Sequence, residues 1–260
     1  MVNLFFAFCL GLIIGSFLNV CIYRLPQGEN LIYPGSHCTT CGHDLGPLDL
    51  IPVLSYILRR GKCHYCSEKI SPRYVLVELV TGFLYAILYR QFGWSLEGAL
   101  YALFVSLLVV LTCIDWEYML LPTPIITFGL ILGLILRGLQ AAYYQDSAFL
   151  WAPLVGATLG FGIFALLFYL GKALYKKECL GFGDVRLMAL IGLYVSIDLL
   201  FFTLLLASLL AAIYGSIQLW KNKKSEAYPF APFINGAALI AIFYGYAILD
   251  WYCKIRGIAV

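Results

Sequence analysis

Eight apolar segments, each close to the length that crosses a lipid bilayer, dominate the sequence. A transmembrane helix needs about 20 consecutive apolar residues. Segments of this kind lie at residues 4–22, 73–92, 96–114, 122–142, 150–171, 185–198, 199–220 and 230–252. Only 12% of the residues are charged, whereas soluble domains average about 25%. The sequence therefore predicts an all-α polytopic membrane protein with about eight transmembrane helices in a lipid bilayer.

The boundary between the sixth and seventh segments is the least regular. The sequence "YVSID", from Tyr194 to Asp198, is typical of a tight turn between two spans. The alternative is one long bent helix over residues 185–220.

Composition and flanking sequence argue against two other classes. The net charge is only +3, and no basic tract with interleaved aromatic residues is present, so we expect no nucleic-acid partner. The first apolar segment has no basic region before it and is longer than a signal-peptide core. We therefore expect it to be retained as a helix.

The distribution of basic residues predicts how the segments are oriented. Cytosolic loops of membrane proteins carry an excess of Lys and Arg. With the amino terminus outside, 13 of the 17 Lys and Arg residues fall on the inner side, including the clusters Lys172–Lys177 and Lys221–Lys224. The opposite orientation would invert this bias. We therefore expect residues 23–72, the one long hydrophilic loop, to lie in the cytosol.

This loop carries two CxxC pairs. Cys38 and Cys41 form the first, Cys63 and Cys66 form the second, and 21 residues separate the pairs. Two such pairs at this separation are typical of a closed, tetrahedral structural zinc site. The alternative is two disulfide bonds, which a reducing cytosol disfavours. A metal would also stabilise a loop that is too short to build a large core.

The other metal-binding residue types show no comparable spacing. The loop also holds the three histidines, which could replace a cysteine ligand, but four cysteines suffice. We interpret the histidines as ordinary loop residues and the remaining cysteines as small packing residues. They are His37, His43 and His64, and Cys9, Cys21, Cys113, Cys179 and Cys253.

Two aspartates are predicted at the inner ends of apolar segments. Asp115 ends the third segment in "LTCIDWEYMLLP", and Asp184 opens the sixth in "LGFGDVRL". Their separation of 69 positions holds two crossings, which return the chain to the same face at the same depth. Two close carboxylates share one proton, so one can act as a base toward water and the other as an acid toward a carbonyl. This pair could hydrolyse a peptide bond without a metal.

Three further residues are candidate substrate contacts. Gly181 and Gly183 precede Asp184, and glycine permits either a positive φ or a close backbone approach. An extended substrate strand could lie against them. Glu78 lies inside the second segment, where carboxylates are often functional. The simpler interpretation of Asp184 is a favourable acidic residue in a first helical turn, and that of Glu78 is a side chain that reaches the cytosolic surface.

Five motifs in order resemble the type IV prepilin peptidase family. They are "GSFLNVCIYRLP" (Gly15 to Pro26), "PGSHCTTCGHDLGPLDLIPVLSYILRRGKCHYCSEKISPRY" (Pro34 to Tyr74), "DWEYMLLP" (Asp115 to Pro122), "GFGD" (Gly181 to Asp184) and "YPFAPFINGAA" (Tyr228 to Ala238). The resemblance covers nearly the whole chain. Departures occur at Thr123, where the family often has Asp or Asn, at Arg186, where it usually has Lys, and at Val75, where it often has Pro.

The resemblance implies a bifunctional enzyme of the bacterial inner membrane whose active site faces the cytosol. Such an enzyme removes the leader of prepilins or pseudopilins and then methylates the new amino terminus with S-adenosylmethionine. Asp115 and Asp184 match the catalytic aspartates, and the four CxxC cysteines match the zinc ligands. No glycine-rich fingerprint identifies the cofactor-binding residues.

The predicted organisation has three parts: a first transmembrane helix (1–22), a cytoplasmic zinc-binding loop with the methyltransferase function (23–72) and a seven-helix aspartyl peptidase domain (73–260). Two other functions use the same features. Intramembrane aspartates also occur in ion- or proton-coupled transporters, but these often have inverted repeats, and none is visible. A zinc-bearing membrane scaffold without chemistry is the other alternative.

Overall fold

The computed structural model describes residues 2–176, 180–223 and 228–256, and within these ranges it is helical with no β-strand. Cys179, Lys177 and Lys224, which the sequence analysis named, lie outside the described residues. The α-helices are α1 (Val2–Arg24), α2 (Leu54–Leu58), α3 (Arg73–Phe92), α4 (Leu96–Tyr118), α5 (Thr123–Tyr144), α6 (Ala148–Tyr175), α7 (Phe182–Tyr194), α8 (Ile197–Asn222) and α9 (Ala231–Arg256). The predicted all-α class is confirmed.

Seven of the described helices are long and apolar enough to cross a membrane, namely α1, α3, α4, α5, α6, α8 and α9. The sixth predicted segment, residues 185–198, differs. It forms α7, which has 13 residues and is therefore about 20 Å long, shorter than the roughly 30 Å hydrocarbon core. The described chain thus has seven helices of full spanning length and one shorter helix where an eighth span was predicted. A clear break separates α7 from α8, so the predicted turn is confirmed and the single bent helix is wrong.

The short length of α7 is explained by its surroundings. Nine of its residues are buried. Its backbone touches that of α6: a Cβ on Gly156 would lie 2.3 Å from the Gly192 oxygen, and one on Gly160 would lie 2.4 Å from the Met188 oxygen. The order of these contacts makes α7 antiparallel to α6. A helix enclosed by protein need not match the thickness of the bilayer, because its polar ends find partners inside the protein.

The carboxyl end of α7 has such a partner on α5. Arg137 donates to the carbonyl of Tyr194, the last residue of α7, at 2.9 Å. The Tyr194 hydroxyl donates to the Gly129 carbonyl at 2.8 Å. A cation at the carboxyl end of a helix complements its dipole. These contacts hold α7 against α5 at the end opposite Asp184.

The chain divides into two compact units, residues 1–110 and 111–260. In the first unit, α1 packs against α3 so closely that the backbones of the two helices touch. A Cβ on Gly11 would lie 2.7 Å from the Gly82 Cα, and one on Gly15 would lie 2.8 Å from the Glu78 Cα. The predicted division of activities among residues 1–22, 23–72 and 73–260 stays a prediction. The second unit contains the carboxyl-terminal part of α4 and helices α5 to α9.

Candidate active site and cysteine cluster

Asp115 is held in the last turn of α4 by the beginning of α9. Its side chain is buried, and the backbone N–H of Ala231 donates to its Oδ2 at 3.1 Å. One helical turn further along α9, the Asn235 amide donates to the Thr112 hydroxyl at 2.9 Å. The "YPFAPFINGAA" motif therefore anchors Asp115 through its backbone. No residue of this motif is predicted from the sequence to belong to the site.

Asp184 lies in the first turn of α7 and is also buried. The backbone N–H of Gly181 donates to its carboxylate, and the two aspartates are close enough for their charges to interact. The helix dipole of α7 stabilises negative charge at this position. Helices α5 and α6 separate the two aspartates in sequence, and the chain returns to bring them together, as the count of crossings predicts. Because two like charges in nearby buried carboxylates repel, one of the pair can hold a proton while the other is ionised.

The two glycines before Asp184 do not use a positive φ. Gly181 has φ −73° and ψ 140°, an extended conformation open to other residues, and Gly183 is part of α7. A Cβ on Gly183 would lie 2.8 Å from the Cβ of Leu121. A Cβ on Gly181 would lie 3.2 Å from the Asp184 Oδ2. The alternative that Gly183 needs φ > 0 is wrong. Another group does approach the Gly183 backbone closely, but this group is the side chain of Leu121 in the same chain. A contact between the glycines and the substrate stays a prediction.

Two positions that depart from the family pattern meet beside the site. Arg186, on the first turns of α7, donates to the hydroxyl of Thr123 at the start of α5. Its guanidinium also lies over the Phe182 ring, 5.1 Å from the ring centroid. The hydrogen bond between Arg186 and Thr123 therefore links α7 to the start of α5, directly after the loop that joins α4 to α5. Nothing in the sequence alone connects these two positions, which are 63 residues apart.

Glu78 is buried in the first unit and is occupied by its own chain. Its Oε2 accepts the backbone N–H of Val53 at 2.8 Å, and the Ser16 side chain also hydrogen-bonds to it. The carboxylate therefore ties the long loop to α1 and α3. Its assignment as a substrate contact stays a prediction.

The four CxxC cysteines come together. Their sulfur atoms all lie within 4.8 Å of one another, and Cys38 Sγ is 3.8 Å from Cys66 Sγ. Four thiolates around zinc at a Zn–S distance of about 2.3 Å lie about 3.8 Å apart at tetrahedral angles. A disulfide requires about 2.0 Å between sulfurs, and all four cysteines are free. The geometry fits one metal ion and disfavours the disulfide alternative.

The two CxxC pairs adopt the same local fold. The residue after each pair has a left-handed backbone, with φ 70° at Gly42 and 61° at Ser67. A backbone bridge closes each pair at equivalent positions, His37 with Asp44 and Lys62 with Lys69. In the first turn, the backbone N–H groups of Cys41 and Thr40 donate to Cys38 and lower the pKa of its thiol to about 6. In the same cluster, burial and the three neighbouring sulfurs raise the pKa of the Cys66 thiol. Thiolates are the form that binds metal.

The histidines of the loop lie outside this ligand set. The ring of His43 contacts that of Tyr65, with centroids 3.6 Å apart, and His64 hydrogen-bonds to Arg59. The four-sulfur cluster includes no histidine. Their interpretation as ordinary loop residues agrees with these contacts. Among the described cysteines outside the CxxC pairs, Cys9, Cys21 and Cys253 are free thiols.

Comparison with known proteins gives matches along both units. The Bacterial Peptidase A24 N-terminal domain matches residues 9–92, and the Type IV leader peptidase family matches residues 102–216. No solved structure matches.

Several curated relatives carry the name prepilin leader peptidase/N-methyltransferase. The protein of Pseudomonas putida is 35% identical, and the alignment covers 95% of this chain and 93% of the relative. The protein of Bacillus subtilis is 34% identical, with 95% and 97% covered. The protein of Myxococcus xanthus is 39% identical over 82% of this chain, and the aligned part spans only 62% of that relative. With two relatives matched almost end to end at more than 30% identity, the chain belongs to the type IV leader peptidase family.

Proposed function

We propose that the protein is an intramembrane aspartic endopeptidase that removes the leader of prepilins or pseudopilins and then N-methylates the new amino terminus. The peptidase part rests on one observation: Asp115 and Asp184 are both buried, and the charge of Asp115 acts on the carboxyl group of Asp184. The names of the relatives support the substrate class and the methylation. They do not favour a transporter or a scaffold without chemistry.

The proposed cleavage uses the shared proton of the two carboxylates. The ionised carboxylate removes a proton from water, and the water oxygen attacks the scissile carbonyl carbon. The protonated carboxyl donates its proton to the carbonyl oxygen, which gives a neutral tetrahedral diol. The diol then collapses: one hydroxyl gives its proton to the ionised carboxylate as the carbonyl re-forms, the C–N bond breaks, and the protonated carboxyl passes its proton to the departing nitrogen, which restores the starting protonation of the pair. Backbone N–H groups of Ala231 and Gly181 hold the two carboxylates in place.

The proposed location is the bacterial inner membrane, with the site on the cytosolic side. The seven helices of spanning length support a multi-pass membrane protein. The excess of basic residues on one side of the predicted spans supports the orientation. Asp115 and Asp184 lie at helix ends on that same side of the predicted topology, where a leader peptide in the cytosol could reach them.

S-adenosylmethionine, when bound, would supply the methyl group.

The test of this function is processing of a co-expressed prepilin in membranes that contain the protein. We expect the mature product to lack the leader and to carry the added mass of one methyl group at its amino terminus. An uncleaved prepilin would contradict the peptidase. A cleaved product without added methyl mass would contradict the methyltransferase alone.

We also propose that the four cysteines bind one structural zinc ion. A closed site of four thiolates leaves no open position for substrate, so the metal would stabilise the loop. We expect about one zinc per chain by elemental analysis. Cys38→Ser should lose the metal, make the loop sensitive to protease and lower methylation more than cleavage, because Asp115 and Asp184 lie on other segments.

The matched control is Cys253→Ser, which removes a free thiol outside the cluster. It should retain the zinc content and the protease resistance of the wild type. A wild-type protein that is metal-free with a protease-resistant loop would contradict the zinc site.

A further inference from the structure

We propose that the apolar segment, residues 50–58 of the long loop, inserts into the bilayer beside α1 and α3 and contacts lipid acyl chains. The sequence "LIPVLSYIL" contains no charged residue. It is too short to span a membrane, since apolar runs of this length are typical of buried, interfacial or re-entrant segments. This inference depends on the membrane-spanning helices and is independent of the proposed catalytic function.

Five of the nine residues in the apolar segment are exposed and none is buried, which argues against a buried core. The exposed fraction is 57% for Leu54, 61% for Ile57 and 80% for Leu58. Soluble surfaces rarely carry contiguous apolar patches of this kind unless they bind a membrane or a protein. These three residues all belong to α2, so one short helix presents them together.

A hydrogen bond places the segment below the ends of the neighbouring membrane helices. The Val53 N–H donates to Glu78 Oε2 at 2.8 Å. Glu78 follows the first residue of α3 by five positions, which at 1.5 Å per residue is about 7 Å into the helix. Its other partner, Ser16, precedes the last residue of α1 by eight positions, which is about 12 Å from that end. The Val53 N–H therefore lies alongside α1, within the length of the helix and not beyond its end.

Five of the eight backbone N–H groups in the apolar segment have hydrogen-bond partners within the chain. Backbone polar groups in hydrocarbon need internal partners. Four of these N–H groups donate to carbonyls two to four residues earlier, and that of Val53 donates to Glu78. The internal bonds are Leu50 to Pro47, Leu54 to Pro52, Ser55 to Ile51 and Ile57 to Val53.

The charges that flank the apolar segment neutralise each other at its base. Asp49 precedes the segment and Arg59 follows it, and their side chains form a salt bridge at 2.8 Å. The salt bridge therefore holds the two ends of the apolar segment together. This arrangement, continuous with α1 and α3, favours lipid as the occupant of the apolar surface. A partner protein's apolar helix is the competing occupant that the test must separate.

Photo-crosslinking in native membranes tests the proposal with the full chain. A benzophenone amino acid is placed at Leu54 or Leu58. The positive control is Phe83, exposed in the middle of α3, and the control outside the bilayer is Glu68, exposed at the second CxxC pair. We expect lipid adducts at positions 54 and 58 at a yield comparable to position 83 and about tenfold above position 68. A yield no higher than at position 68, or adducts to a protein instead of lipid, would overturn the proposal.

Two variants of Glu78 test the bond that sets the depth. Glu78→Gln keeps a side-chain oxygen that can accept the Val53 N–H, and Glu78→Leu does not. We expect the lipid adduct at Leu54 to persist with Glu78→Gln and to fall severalfold with Glu78→Leu. An unchanged yield with Glu78→Leu would show that this hydrogen bond does not hold the segment in the membrane.

Discussion

Replacing either Asp115 or Asp184 by Asn should abolish leader cleavage while the protein still inserts into the membrane. Asn has the size of Asp and an oxygen that can still accept the N–H of Ala231 or Gly181, so the local structure should persist. It cannot share or transfer the proton that the hydrolysis requires. Loss of a general acid or base costs about 10² to 10⁴ in rate, and loss of a shared proton removes both functions together. The measurement is the fraction of prepilin cleaved at equal membrane levels.

Asp198→Asn is the matched control for this experiment. Asp198 lies in the first turn of α8, as Asp184 lies in the first turn of α7, but it is exposed. The Asp198→Asn variant should cleave prepilin at the wild-type rate. Substantial cleavage by Asp115→Asn or Asp184→Asn would contradict the dyad and would leave the simpler interpretation of Asp184 as a favourable first-turn residue.

Substitution of Gly183 should also reduce cleavage strongly, although glycine carries no reactive group. A Cβ at this position would lie 2.8 Å from the Cβ of Leu121 and 3.1 Å from its Cδ1. Overpacking of this kind costs about 1–3 kcal/mol, and a displacement of about 1 Å at a reacting group can cost about 10²-fold in rate. We expect Gly183→Ala to reduce cleavage about tenfold and Gly183→Val about a hundredfold, because either change pushes the first turn of α7, with Asp184, away from the loop after Asp115.

The control is Gly138→Ala on α5, where an added Cβ would meet no atom within 4 Å. It should cleave normally. Leu121→Gly, which removes the clashing side chain, should partly restore cleavage to Gly183→Ala. If Gly183→Val cleaves at the wild-type rate, the contact with Leu121 does not position Asp184. If Leu121→Gly restores nothing, the defect has another cause.

The amino-acid pattern was enough to predict the features that depend on local sequence or on counting crossings. Long apolar runs predict spanning helices because hydrocarbon excludes unpaired backbone groups. Two CxxC pairs predict a shared site because thiolates at that spacing favour one tetrahedral metal, and the four sulfurs do converge. Asp115 and Asp184 were expected to meet because two crossings return the chain to one face. That reasoning needs no knowledge of side-chain packing.

The tertiary structure alone decided how these residues are held. Helix α7 is short because α6 and Arg137 of α5 enclose it, and no local signal distinguishes an enclosed helix from a lipid-exposed one. Gly183 is required by Leu121, Asp115 is held by the backbone of Ala231, and Arg186 meets Thr123. Each of these contacts joins residues at least 62 positions apart in the chain. Sequence periodicity describes which face of a helix is apolar, whereas the particular neighbour across that face depends on how all the helices pack together.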